Sequence, residues 1–269
     1  MMSEKIELLG KGLYSDIPNE LTLQAIPTVS ELEYVGAEDF EETMLENILP
    51  KAVEEKINFR HLLEIDFQWI CRCLRLLNYG PYFTTNTLFC SKCGQVKGEV
   101  QVDLRTVECK PLPEGFVNSI VIDKSEFVDF KGEVTIHLPT IQDVLNAYKD
   151  KMFRRPTGEI NKEYARICYM VSSIGKEKNL NAPSVKAKIE KELSSSDYII
   201  LKERVAQLTD YGLRAGGKCK CPKCKSEAVF IALVDDRFFR PTLGDIQSGK
   251  DARSARGDEN PAGSETETV

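Results

Sequence analysis

Two Cys-x-x-Cys pairs, Cys90-Ser91-Lys92-Cys93 and Cys221-Pro222-Lys223-Cys224, stand far apart in the chain. Each pair puts two sulfurs on one tight turn. Two such turns together supply the four tetrahedral thiolate ligands that a structural zinc prefers. If all four ligate one ion, the fold must return residue 221 to the neighbourhood of residue 93. Closing a loop of about 100 residues costs on the order of 5 kcal/mol of chain entropy, whereas structural zinc contributes roughly 10 to 16 kcal/mol in small peptides at neutral pH. The metal term exceeds the closure term, more so if the intervening chain folds by itself. The first pair is followed by Gly94, which eases a left-handed bend; the second is followed by Lys225. One Zn2+ per chain, held by Cys90, Cys93, Cys221 and Cys224, is the expected cofactor.

The rest of the cysteine usage agrees with ligation. Nine Cys in 269 residues is an odd number in a chain without a basic-then-apolar leader, a pattern of reduced thiols rather than of a disulfide framework. Cys219 and Cys109 are the available substitute ligands. Cys71, Cys73 and Cys168 fall on helical stretches and are expected to be small packed residues. No apolar run reaches the length of a membrane span. The formal charge of -6 argues against the broad basic surface that non-specific nucleic-acid binding uses.

The periodicity predicts an α+β chain. Residues 1–36 show no sustained period and are expected to form an extended arm, ordered on a partner or on its own domain. Over 37–80 a helical pair is expected: Phe40, Met44 and Ile48 recur at helical spacing behind an acidic first turn. Leu62, Ile65, Trp69 and Cys73 follow on a second helix stopped by Gly80-Pro81. Val100, Val102 and Leu104 alternate with polar residues, as do Val134, Ile136 and Leu138, and the run Ala228 to Val234 has strand length. Residues 81–139 with 213–241 are therefore expected to make one small antiparallel zinc-ribbon-like domain. It would be interrupted by a helical block over 140–212 that opens at Thr140 with Ile141, Val144 and Leu145 on one stripe. Residues 242–269 are polar, with few large aliphatics, and are expected to be a disordered tail.

Arg214, Lys218, Lys220, Lys223 and Lys225 surround the second pair with no acid among them. They read either as a phosphate-binding patch or as charge balance for a four-thiolate zinc of formal charge -2, and the second reading is favoured because no aromatic residue interleaves with them. A four-Cys site is closed to catalysis. Neither His61 nor His137 is evidently paired with a nucleophile, and no phosphate-cradling Gly-rich loop occurs. A non-catalytic role is expected.

Several motifs in order carry a resemblance. Leu63-Glu64-Ile65-Asp66 is followed by Arg75, then by Asn78-Tyr79-Gly80, the Cys90-x-x-Cys93-Gly94 knuckle, His137-Leu138-Pro139-Thr140, the second Cys pair and Arg237-Phe238-Phe239-Arg240-Pro241. Over roughly residues 30 to 241 the chain resembles the baseplate hub and hub-assembly proteins of T-even-type contractile-tail bacteriophages. The resemblance implies a structural or assembly role without enzymatic chemistry, other phage baseplate or tail proteins as partners, and a location in host cytoplasm during assembly or in the virion tail. The alternative is a nucleic-acid-binding zinc-ribbon protein. Asp66 and Arg75 lie about half a turn out of phase on one helix at 100° per residue, so each must meet a different partner or be solvated.

Overall fold

The computed structural model describes residues 3–26, 39–234 and 236–248. Along the chain, β1 (Ser3–Glu7) and β2 (Glu20–Gln24) precede α1 (Phe40–Thr43), which runs through a π-helical turn into α2 (Leu49–Ala52). Helix α3 (Glu64–Tyr79) leads to β3 (Tyr82–Cys90), β4 (Gly94–Asp103), β5 (Cys109–Lys110), β6 (Ile120–Ile122) and β7 (Val134–Ile136). Then come α4 (Ile141–Lys149), α5 (Lys162–Met170), β8 (Val171–Ile174), β9 (Glu177–Lys178), α6 (Ala182–Glu192), α7 (Ser195–Leu208), β10 (Gly212–Leu213), β11 (Gly216–Lys220) and β12 (Glu227–Ile231). The chain is α+β and divides into two compact units, Met1–Leu74 with Glu108–Arg214 and Arg75–Val107 with Ala215–Val269. The boundary falls inside α3.

In the first unit the N-terminal residues are not an extended arm. β1 and β2 form an antiparallel hairpin with Ile6 opposite Leu21, and Ile6, Leu8, Ile17, Leu21, Leu23 and Ile26 are all buried. Two five-residue strands are too short to show a period in the sequence; pairing is what reveals them. Residues 27–36, also assigned to the arm, lie outside the described residues. The hairpin is tied down from α3. Asp66, fully buried, accepts from the backbone N–H of Leu9 at 2.6 Å and of Gly10 at 3.1 Å, and from the Tyr14 hydroxyl. That hydroxyl in turn accepts from the Leu63 N–H at 2.9 Å.

The same unit contains a four-stranded sheet in the order β6-β7-β8-β9. Val134 faces Ile174 and Ile136 faces Val171 across the β7–β8 ladder. Leu138, Ile167, Met170, Val185 and Leu201 join the core there. This corrects the expected partition: residues 108–139 belong with the helices, not with the ribbon. Alternation identifies a strand but does not name its partner, and β7 pairs with β8, which lies within the stretch expected to be wholly helical. Helices α4 and α7 open on capping boxes, Thr140 with Asp143 and Ser194 with Asp197, which satisfy N-terminal N–H groups that the helices leave without partners.

The second unit is a four-stranded antiparallel sheet ordered β11-β12-β3-β4. Leu88, Val96, Ala228 and Phe230 are buried, with Phe238 and Phe239 buried beside them; the Phe83 and Phe238 rings lie 5.9 Å apart. Gly216 allows β11 its place against β12, since a Cβ there would lie 2.0 Å from the Phe230 carbonyl oxygen. Arg75 is fully buried and donates to the carbonyls of Gly80 at 3.0 Å and Tyr82 at 2.6 Å, which fixes the turn from α3 into β3.

The first residues of the stretch 242–269, expected to be a disordered tail, are ordered. Residues 243–248 form a helical turn, and Asp245 is buried. Its carboxylate accepts from the Thr84 hydroxyl at 2.8 Å and the Thr242 N–H at 2.9 Å, while its own N–H donates to the Thr242 hydroxyl at 3.2 Å. Composition hides this because the turn is fastened by a polar capping box, Thr242-Leu243-Gly244-Asp245, not by apolar residues. Residues 249–269 lie outside the described residues.

Candidate metal centre

Strand pairing brings the two Cys pairs together. β3 ends at Cys90 and β4 starts at Gly94, so the first pair is the turn of a hairpin. The second pair is the turn between β11 and β12. Because β12 lies antiparallel to β3 with Ala228 opposite Cys90, both turns emerge at one end of the sheet. The Sγ atoms of Cys90, Cys93, Cys221 and Cys224 all lie within 4.8 Å of one another, with Cys90 and Cys224 at 3.5 Å. None of the four is in a disulfide. Metal–sulfur bonds of about 2.3 Å in a tetrahedron separate sulfurs by about 3.8 Å, so the four sulfurs are close enough together to hold one metal ion.

The two turns share a backbone shape. Gly94 has φ 68° and Lys225 has φ 61°, so both residues following the pairs take the left-handed bend, one as glycine and one as a strained lysine. The second turn is closed by hydrogen bonds from the Lys225 N–H to the Cys221 carbonyl at 2.9 Å and from the Cys221 N–H to the Ser226 carbonyl at 2.8 Å. In the first, the Lys92 N–H points to the Cys90 sulfur at 3.4 Å. Cys90 and Cys221 are buried and Cys93 and Cys224 face solvent.

The cluster is poised to lose protons unevenly. Hydrogen bonds from the Ser226 N–H and hydroxyl draw the Cys224 thiol down to about 6, while sharing of hydrogen bonds with Cys224 pushes Cys93 up to about 12. The remaining cysteines behave differently. Burial pushes Cys71 well above the ordinary thiol value and Cys73 and Cys168 up to about 12, leaving them protonated packing residues. Cys219, on β11 opposite Ala228, lies outside the cluster, and Cys109 is on β5 in the first unit.

The basic residues around the second pair separate by role. Arg214 belongs to the first unit and pairs with Glu108 at 3.5 Å and Asp210 at 3.7 Å. Lys218 pairs with Glu227 at 3.5 Å. Lys92, Lys220, Lys223 and Lys225 are exposed and make no ion pair among the described residues, which places ammonium groups around a cluster that carries negative charge once metallated. The two histidines have partners in the first unit: His61 bonds to the Asp16 carboxylate at 2.8 Å and His137 to the Leu138 carbonyl at 3.0 Å.

One feature of the sheet escaped the sequence. Phe89 and Val229 face each other, with Gln95 opposite Phe89 and Lys218 opposite Val229, and Phe89, Val229 and Ile231 are each 45–46% exposed. An aromatic residue therefore does lie in one cross-strand row with Lys218, although the two are far apart in sequence. No family model matches this chain, and neither a curated protein nor a solved structure matches it.

Proposed function

We propose that the chain is a zinc-stabilised structural or assembly protein of a phage contractile-tail baseplate, whose second unit is a zinc-ribbon-like module closed by Cys90, Cys93, Cys221 and Cys224. The observation that carries the zinc reading is the convergence of four sulfurs, none of them in a disulfide, within 4.8 Å of one another. Four thiolates select a soft or borderline metal, and in a closed site zinc adds folding energy without offering a coordination position to substrate. The ion would tie the turn after β3 to the turn after β11, which residues 108–214 of the first unit separate in the chain.

The baseplate reading is supported by the ordered motifs given above and by what their polar members do. Asp66 anchors the N-terminal hairpin, Arg75 fixes the α3–β3 turn and Thr140 caps α4. The test is recovery of the full-length chain from infected cells and mass spectrometry of what accompanies it. Baseplate or tail proteins at defined ratio are expected; a complete lack of them overturns the assembly reading. The nucleic-acid-binding alternative draws on the Phe89 and Lys218 row, and salt-dependent binding of single-stranded DNA or RNA by the full chain would favour it.

A further inference from the structure

We infer that the exposed face of the β11-β12-β3-β4 sheet is a docking surface for an acidic amphipathic segment of a partner protein, with an apolar side chain of that segment entering the groove between Phe89 and Leu233. This deepens the assembly reading and rests on its claim that the chain binds proteins, not on which particle it belongs to.

Alternation along β12 divides the strand. Ala228 and Phe230 are buried, while Val229 and Ile231 are exposed, and Leu233 just beyond is 51% exposed. Phe89 joins Val229 across the ladder. The result is a contiguous apolar strip on a sheet whose other face is already packed. Soluble chains rarely leave such strips bare without a partner. Beside the strip lies a groove of about 470 Å³, lined by Phe83, Phe89, Ile231 and Leu233, with Glu99 and Arg240 as its charged residues. It is large enough for an anchoring side chain, which is where interfaces concentrate their binding energy.

Charge selects the occupant. Lys97 on β4 and Lys218 and Lys220 on β11 flank the strip and are exposed; Glu227 pairs with Lys218 and Glu99 shares the groove with Arg240, which leaves Lys97 and Lys220 as the uncompensated charges of the rim among the described residues. The excess is basic in a chain whose total charge is -6. A second copy of the same face would bring lysines against lysines, so isologous pairing is disfavoured. Single-stranded nucleic acid would meet the cations, but it needs successive aromatic platforms; the strip is aliphatic apart from Phe89, and Phe83 in the groove is half-buried against Phe238. An apolar segment bearing Asp and Glu beside its anchors satisfies both the strip and its rim.

The test uses the full-length zinc-loaded chain and three labelled probes: a short synthetic peptide alternating leucine and glutamate, its leucine and lysine counterpart, and an oligothymidylate. Binding of the glutamate peptide above the lysine peptide by about tenfold or more is expected. Ile231→Glu should weaken it about tenfold. Lys97→Glu with Lys218→Glu should reverse the preference, with the metal content of each variant showing that the sheet remains folded. Equal binding of both peptides, failure of any peptide to bind, preference for the oligothymidylate, or a dimer that Ile231→Glu dissociates would each overturn the proposal. In infected cells the two readings separate. If Ile231→Glu keeps every tail-protein partner of the wild-type chain, the surface is wrong and the assembly role stands; if the wild-type chain has no tail-protein partner while the peptide preference holds, the assembly role is wrong and the surface stands.

Discussion

The sulfur of Cys90 lies 3.5 Å from that of Cys224, although 134 positions separate them in the chain. The contact follows from one ladder: with Ala228 opposite Cys90, any pair of thiols in the turn before β12 must meet the thiols at the end of β3. The β12–β3 pairing and the metal site are thus mutually dependent, and whatever loosens one loosens the other.

Removal of the metal should therefore unfold the second unit. A structural zinc contribution of roughly 10 to 16 kcal/mol is comparable to the whole stability of an ordinary domain at about 5 to 15 kcal/mol. Native mass spectrometry should show one zinc per chain, with four thiols protected from alkylation until chelator is added. Cys93→Ser or Cys224→Ser should abolish stoichiometric binding, while Cys219→Ser should retain it. A chain that stays metal-free and equally stable would refute the site.

The two left-handed residues after the Cys pairs should respond unequally to substitution. Nothing lies within 4 Å of a Cβ placed on Gly94, so Gly94→Ala adds only the strain of a side chain at positive φ, about 1 kcal/mol. Lys225→Gly relieves the same strain and loses unfolded-chain stiffness of similar size, so its effect should stay within about 0.5 kcal/mol of neutral. Chemical denaturation of the zinc-loaded proteins measures both.

Asp197 should link the first unit's stability to pH. Its carboxylate is fully buried, which pushes its pKa upward. The N–H groups of Asp129, Val128 and Phe130 and the Ser194 hydroxyl together outweigh burial and hold it below the usual carboxylate value. A folded pKa below the unfolded one means that the stabilisation is present above the unfolded value, near 4, and is lost as pH falls toward the folded value. Asp197→Asn turns an amide donor against one of those donors and should cost about 2 kcal/mol at neutral pH. The difference between wild type and variant should shrink below about pH 4.

Two truncations should differ. Ending the chain after Ser248 removes only a polar stretch and should leave the thermal midpoint nearly unchanged. Ending it after Thr242 removes Asp245 and strips the Thr84 hydroxyl of its acceptor, which should cost about 1 to 2 kcal/mol. Equal midpoints for the two truncations would show that the docked turn contributes nothing.

At the N-terminus, Tyr14→Phe should destabilise the first unit by about 1 to 2 kcal/mol, because the Leu63 N–H loses its acceptor and Asp66 one of its donors. The zinc content should not change.

The ligand candidates, the mixed α+β character and the approximate helices were legible in the chain, since Cys spacing, period 3.6 and capping residues are local signals. So was the inability of Asp66 and Arg75 to pair, because both sit on one helix whose geometry is known in advance. Only the tertiary structure decided which strands share a sheet: β6 and β7 went to β8, β3 and β4 to β12, and alternation is blind to the partner. The burial of the N-terminal hairpin, the docking of Asp245 and the row joining Lys218, Val229, Phe89 and Gln95 were decided there as well. Each depends on residues far apart in the chain, and long-range pairing leaves no periodic trace in either partner alone.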